Sequence, residues 1–349
     1  MDALTSFLAN IGEEVEDAEE ESFLLFSQDI PSANLGFVDS RATTIDITIH
    51  DQDYTIHQSP TLLSSSRAGG TTGAVLWKIT PLISTWLSTT TTNPLWTHSI
   101  LTPSSTVVEL GSGISALIAL SLSPKIQHYI ATDQEYVQRL FRQNLDENLS
   151  AAGAAVNKGK GVKRGVGKGG KQASSAASSR KNKSASTSAH DSKGNGNVIF
   201  TSLDWELDVA GSLKESLGLV SSTPPSTSTP RDNDEAEEKD KGFDLILSCD
   251  CIYNEALVAP FVRTCADLCR LRPVYTNPDG QDGWYTGTGS GGRKPTVCVI
   301  AQQQRSPEVF EAWLQETMRV FRVWRVRDEV LGEELRLGRG YLVHVLLLK

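Results

Sequence analysis

The chain is predicted to be an α/β protein built on a seven-stranded, mostly parallel, doubly wound sheet, with an N-terminal β-hairpin and disordered inserts. Three observations predict this. The stretch STVVEL runs through a Gly-Ser-Gly turn, Gly111–Gly113, directly into the apolar helix pattern ALIALSL. A second strand-like run, HYIATD, ends on Asp133, twenty positions after Gly113. Further on, VIFTSL, FDLILS and PTVCVIAQ alternate with helical segments. Near-continuous apolar runs of this kind suit strands covered on both faces, as parallel sheets require.

Taken in order, residues 1–40 form an acidic extension whose dense run EEVEDAEEE reads as a solvated, frayed helix or tail. The folded domain, 41–349, begins with TTIDITIH and DYTIHQS, which alternate apolar and polar residues across Asp-Gln-Asp and so predict a hairpin. TTGAVLWKITPLISTWL is a turn and an amphipathic helix with Pro81 near its start. After HYIATD, the segment EYVQRLFRQNLDENL places Val137, Leu140, Phe141 and Leu145 on one helical face. Three low-complexity inserts, 151–197, 221–242 and 273–295, interrupt the rhythm. They are too poor in apolar residues to fold alone. The helix PEVFEAWLQETMR is followed by FRVWRV and GYLVHVLLLK with no helix between, so the last strand is expected to pair by hairpin.

Composition narrows the function. A net charge of −9 argues against nucleic-acid binding by the whole surface; only the basic cluster GKGVKRGVGKGGK could touch RNA or act as a localisation signal, and a solvated loop is its simpler reading. The five cysteines are odd in number, clustered late and set in apolar segments, which is not a secreted disulfide framework. Cys265 and Cys269 read as buried thiols rather than metal ligands, and no metal site is expected. With no signal peptide and no apolar run of eighteen residues, the chain is expected to be soluble, cytoplasmic with a nuclear pool, and monomeric.

The glycine turn lies where a doubly wound sheet receives a nucleotide-like cofactor. Glycines serve where backbone must approach a ligand or take positive φ. Asp133 has the spacing of a carboxylate that grips ribose hydroxyls, and it also suits a cap for the helix that follows. A nucleoside cofactor is therefore the first expectation. The turn has two glycines and lacks the third of a dinucleotide loop, which disfavours a pyrophosphate ligand.

Four segments carry a resemblance: TGAVLWK, VVELGSG, SLDW, and Asp250-Cys251-Ile252-Tyr253. Together they resemble the seven-β-strand, Rossmann-like S-adenosylmethionine-dependent methyltransferases, in particular the protein-lysine branch called the methyltransferase-like twenty-one group. The segments IYNEALVAPFV, AQQQRSPEVFEAWL and GYLVHVLLLK are similar to fungal ribosomal-lysine N-methyltransferases. The resemblance covers roughly residues 40–150, 197–215 and 242–349. It implies S-adenosylmethionine as cofactor and a protein lysine as acceptor, on a large-subunit ribosomal protein. It implies that Gly111, Ser112 and Gly113 lie beneath the cofactor's amino-acid tail, with Glu109 supporting the loop or the ammonium. Asp133 would hold the ribose, Asp204 and Trp205 the adenine end. Trp77 and the backbone of Cys249 would line the pocket. Asp250 and Tyr253 would stand at the acceptor mouth, Asp250 orienting the amine and Tyr253 flanking it.

Rival readings differ in the site. A nicotinamide oxidoreductase shares the first strand–turn–helix but not the Asp-Trp pair or the Asp-Cys-Ile-Tyr segment. A small-molecule or nucleic-acid methyltransferase shares the cofactor half, but the Asn-Pro-Pro-Tyr type of loop expected for base or glutamine targets is absent, and this chain has Asp-Cys-Ile-Tyr there. A non-catalytic cofactor-binding module would have the inserts as its working parts; intact Gly111, Gly113, Asp133 and Asp250 count against a dead site.

Overall fold

The structure, a computed structural model, describes residues 2–27, 36–67, 70–159, 196–220, 240–274 and 294–349, with backbone only for 152–159. Most of each expected insert, and the basic cluster with them, lies outside the described residues.

The acidic head is ordered, against expectation. Helix α1 (Ala3–Ile11) is capped by the Asp2 carboxylate and buries Leu4, Phe7, Leu8 and Ile11 on one face. Strand β1 (Gly12–Glu14) pairs antiparallel near the chain's far end, and helix α2 (Ala18–Phe26) follows, capped by Asp17 with Glu19, Glu20 and Glu21 in its first turn. Those carboxylates sit at the positive end of the helix dipole, so a run that looks like a solvated tail is a helix start. A β-carbon on Gly12 would lie 1.6 Å from the Arg325 carbonyl oxygen, so only glycine allows this close pairing.

The hairpin forms as expected from β2 (Thr44–Ile49) and β3 (Gln52–His57), antiparallel and separate from the main sheet. The short helix α3 (Pro60–Leu63) precedes α4 (Ile79–Ser88), in which Pro81 occupies the first turn and so removes no interior hydrogen bond. Asn93 caps α5 (Pro94–Thr97). The doubly wound core then runs β4 (Thr106–Leu110), α6 (Leu117–Leu122), β5 (His128–Asp133), α7 (Gln138–Gly159), β6 (Val198–Ser202), α8 (Leu213–Ser216), β7 (Leu245–Cys249), α9 (Val258–Cys269) and β8 (Val297–Gln303). Helix α10 (Pro307–Val320), strand β9 (Phe321–Val326), helix α11 (Asp328–Leu331) and strand β10 (Tyr341–Leu348) complete it.

The main sheet has the order β1-β9-β10-β8-β7-β4-β5-β6. Strands β4 to β8 are parallel; β10 is antiparallel to both β8 and β9. The expected final pairing therefore holds, but β10 inserts between β8 and β9, and a helical segment rather than a tight turn joins it to β9. The eighth strand, β1, comes from the head. Side chains alternate along each strand between two cores. Val107, Leu245 and Val297 face α1, α4, α6 and α7, while Val108, Ile246 and Cys298 face α2, α9 and α10. Cys265, Cys269 and Cys298 are buried free thiols, as expected. Among the described residues, no helix is long and apolar enough to cross a membrane, and no cluster of side chains could hold a metal.

Strand order reverses between β4 and β7. The loops leaving the carboxyl ends of these strands diverge there, and a crevice opens. The described residues flanking the three inserts lead into the amino ends of β6, β7 and β8, on the rim opposite that crevice.

Candidate active site

A cleft open to solvent occupies the reversal point. The loops after β4, β5, β6 and β7, together with the segment before α4, line it. All the residues singled out from sequence converge there: Trp77, Glu109, Gly111, Ser112, Gly113, Asp133, Asp204, Trp205, Cys249, Asp250 and Tyr253.

The floor is the glycine turn. Gly111 has φ 73°, a conformation that disfavours side chains, and a β-carbon there would sit 2.3 Å from Cys251 Sγ. The amides of Gly111 and Ser112 both donate to the Thr132 carbonyl, at 2.9 and 3.0 Å. The Gly113 amide donates to Asp133 Oδ2 at 2.8 Å. A phosphate-binding loop must leave its amides pointing at the ligand. Here all three are used within the protein, so the turn supports a ligand without gripping an anion.

Two carboxylates stand beside it. Glu109, at the inner end of β4, is buried and accepts a 2.6 Å hydrogen bond from the Tyr129 hydroxyl. Burial pushes its pKa up to about 7; the Tyr129 bond partly offsets this, and the nearby Asp133 charge adds to it. Asp133 ends β5 and is pushed up to about 6 by burial, although it accepts amide bonds from Gly113 and Gln134. Burial is the main cause of the upward shift in both acids.

Trp205 follows β6. Its ring packs edge-on against Phe261 at 5.1 Å, and its indole Nε1 is buried without a hydrogen-bond partner. A buried donor of this kind costs about 1–3 kcal/mol until something accepts from it. Beside it, Asp204 Oδ1 accepts from the Glu206 amide, so part of its capacity is spent on shaping the loop.

The opposite wall is formed by the segment before α4. Trp77 Nε1 donates to the Thr72 carbonyl at 3.0 Å, and its ring lies 4.5 Å from that of Phe37. Thr72 Oγ1 donates to the Tyr253 hydroxyl at 3.1 Å, and the Gly73 amide donates to the Tyr136 hydroxyl at 3.1 Å. Tyr136 was not identified from sequence. It lies three residues past Asp133, where a helix start masks its role. Tyr253 is 41% exposed at the mouth, and partial burial raises its pKa. Cys249 and Cys251 are also held neutral by burial, with pKa values pushed upward.

Asp250 differs from expectation in its contacts. It adopts φ 64°, a left-handed conformation that Asp tolerates, and its side chain is only 1% exposed. Both oxygens are bound by Arg305, at 2.5 Å from one guanidinium nitrogen and 2.6 Å from the other, and Oδ1 also accepts from the Gln303 amide at 3.2 Å. The Arg305 guanidinium lies 5.0 Å from the centre of the Trp77 ring. Sequence reasoning missed Arg305. It stands 55 residues from Asp250 in AQQQRSPE, and no local pattern joins the two.

No protein-family profile matches the chain. Ribosomal lysine N-methyltransferase 5 of Zygosaccharomyces rouxii is 26% identical over 306 residues, covering 83% of this chain and 78% of that protein. The protein of the same name from Kluyveromyces lactis is 26% identical over 312 residues, covering 84% and 79%. A diaminohydroxyphosphoribosylamino-pyrimidine deaminase of Schizosaccharomyces pombe is 38% identical over 135 residues; this stretch spans only 32% of that protein. Among solved structures, a putative S-adenosylmethionine-dependent methyltransferase from Streptococcus mutans aligns with TM-score 0.41 at 7% identity, covering 88% of this chain and 56% of that one. Fibrillarin from Aeropyrum pernix, in complex with S-adenosyl-L-methionine, aligns with TM-score 0.34 at 11% identity, covering 92% and 100%. The chain has an α/β fold with a mostly parallel, doubly wound sheet and is a distant homologue of fungal ribosomal lysine N-methyltransferase 5.

Proposed function

We propose that this chain is an S-adenosylmethionine-dependent protein-lysine N-methyltransferase whose acceptor is a lysine of a large-subunit ribosomal protein. The observation that carries the proposal is the lining of the cleft. Two buried carboxylates, the Trp205 ring and a turn whose amides are used within the protein suit a ligand with a cation, hydroxyls, a flat ring and no phosphate. S-adenosylmethionine fits that description. Similarity to the ribosomal lysine methyltransferases over most of the chain supports the acceptor class.

Glu109 would hold the ammonium of the amino-acid tail, and Asp133 would accept from the ribose hydroxyls in charge-assisted bonds. Trp205 would present its ring to the purine, with Asp204 beside it. Trp77 and the Cys249 backbone would close the sides. When bound, the cofactor supplies a sulfonium methyl that a neutral amine takes in line, leaving a thioether. The residues at the mouth must therefore admit the lysine, align its lone pair and let its proton leave to water. A lysine ordinarily titrates near 10.4, so selecting the neutral form is part of the task. Tyr253, half-exposed and tethered to Thr72, would flank the amine. Alignment rather than acid–base chemistry would be the chief contribution.

The deaminase name of one relative finds no support in these residues. Zinc deaminases carry His-x-Glu and Cys-x-x-Cys, and neither pattern occurs in this sequence. Incubation with labelled S-adenosylmethionine and purified large-subunit ribosomal proteins, read by mass spectrometry, tests the proposal. Label on a lysine supports it. Absence of cofactor binding by calorimetry, or label confined to a non-lysine site, refutes it.

A further inference from the structure

We infer that Arg305 is a positioning residue of the acceptor mouth: by neutralising Asp250, it keeps that wall from stabilising a charged lysine and so selects the neutral, reactive amine. The inference rests on the lysine-methyltransferase reading of the cleft and adds a residue to it.

The geometry makes the pair hard to read as incidental. Surface ion pairs are single-pronged and exposed, and contribute little. Here the contact is bidentate, the carboxylate is 1% exposed, and the guanidinium is 20% exposed beside the Trp77 ring. The pair spans the carboxyl ends of β7 and β8. Asp250 adopts a left-handed backbone conformation there, and Gln303 adds an amide donor to one of its oxygens. Removing a single partner would leave a buried charge uncompensated.

The chemical consequence follows from charge. An unpaired carboxylate at the mouth would bind an ammonium well and raise its pKa, by about 1–3 units within 4–6 Å. That would hold the acceptor in the form that cannot attack. With Arg305 in place, the wall carries no net charge and offers the aromatic rings of Trp77 and Tyr253. The other titratable groups lining the site are Glu109, Asp133, Asp204 and Glu206, the thiols Cys249 and Cys251, and the hydroxyls of Tyr136 and Tyr253. Tyr341 approaches the pair from β10. None of these stands in the place that Arg305 takes against Asp250.

The test compares wild type, R305Q, D250N and D250N/R305Q in the full chain. Methyl transfer from labelled S-adenosylmethionine to purified large-subunit ribosomal proteins is followed across pH 6–10. The ascending limb of kcat should move to higher pH by about 1 unit or more in R305Q, with a lower KM. It should move to lower pH in D250N, with a higher KM, and return near the wild-type position in the double variant. A limb that stays in place in R305Q overturns the inference while leaving the methyltransferase reading intact. Absence of transfer to lysine by the wild type overturns both. Melting temperatures give a readout independent of activity: each single variant should lose more than the double variant. Additive losses would show that the two charges do not compensate each other, and would overturn the inference even if a variant proved inactive.

Discussion

Gly111→Ala tests the construction of the cleft floor. Alanine at φ 73° costs about 1–2 kcal/mol in backbone strain. Its β-carbon would also sit 2.3 Å from Cys251 Sγ, far inside contact distance, with Trp205 ring carbons at 3.4 and 3.5 Å. Overpacking of this kind adds about 1–3 kcal/mol. The sum is a loss of about 2–5 kcal/mol in urea denaturation, read as a fall in midpoint at unchanged slope. The two contributions separate in a double-mutant cycle. In a Cys251→Ala background the overlap with sulfur disappears, and the same glycine substitution should cost only the backbone share, about 1–2 kcal/mol. An equal cost in both backgrounds would show that the sulfur contact is not what requires glycine at this position.

Three further outcomes are expected. Glu109 is pushed up to about 7 from 4.5, so its folded-state preference is for the protonated form; that stabilisation is present below about pH 4.5 and is lost as pH rises through 7. The free protein should therefore melt lower at pH 7 than at pH 5, by more than Glu109→Gln does. Calorimetry of S-adenosylhomocysteine binding at pH 7 should show release of about half a proton, absent in Glu109→Gln; identical enthalpies in phosphate and Tris would contradict this. Trp205→Phe should not destabilise the free protein, because the deleted N–H has no partner there; a loss above about 1 kcal/mol in denaturation would show that this donor is paired. Phe7→Ala should cost about 3–5 kcal/mol in denaturation, since Phe7 is fully buried; a loss under about 1 kcal/mol would mean that the head does not pack as described.

Much of the core was legible because it is written locally. The strand–turn–helix around Gly111 and the run ending at Asp133 are contiguous patterns, and the alternation of the hairpin repeats over each strand. The head was misread because charge outweighed period. Leu4, Phe7, Leu8 and Ile11 keep helical spacing, but the acids after them dominate the composition. Strand order was only partly legible. The sequence of β9 and β10 predicts antiparallel neighbours, whereas insertion of β10 beside β8 depends on pairings that no local pattern encodes. The site divides in the same way. Residues at strand ends follow from the fold, while the Asp250–Arg305 pair and the hydroxyl contacts of Tyr136 and Tyr253 depend on loops meeting in space.

Strand β10 carries a consequence for biogenesis. β9 reaches the rest of the sheet only through β10, and β1 only through β9. Strand β1 therefore joins the sheet only once β10 is in place, and Glu14 meets Arg322 across 308 positions. Until then the growing chain holds β1 without its partner strand and a parallel half-sheet with one open flank. Such long-range closure is slow. Shortening the chain before Tyr341 would release three of the eight strands at once, in a single cooperative loss.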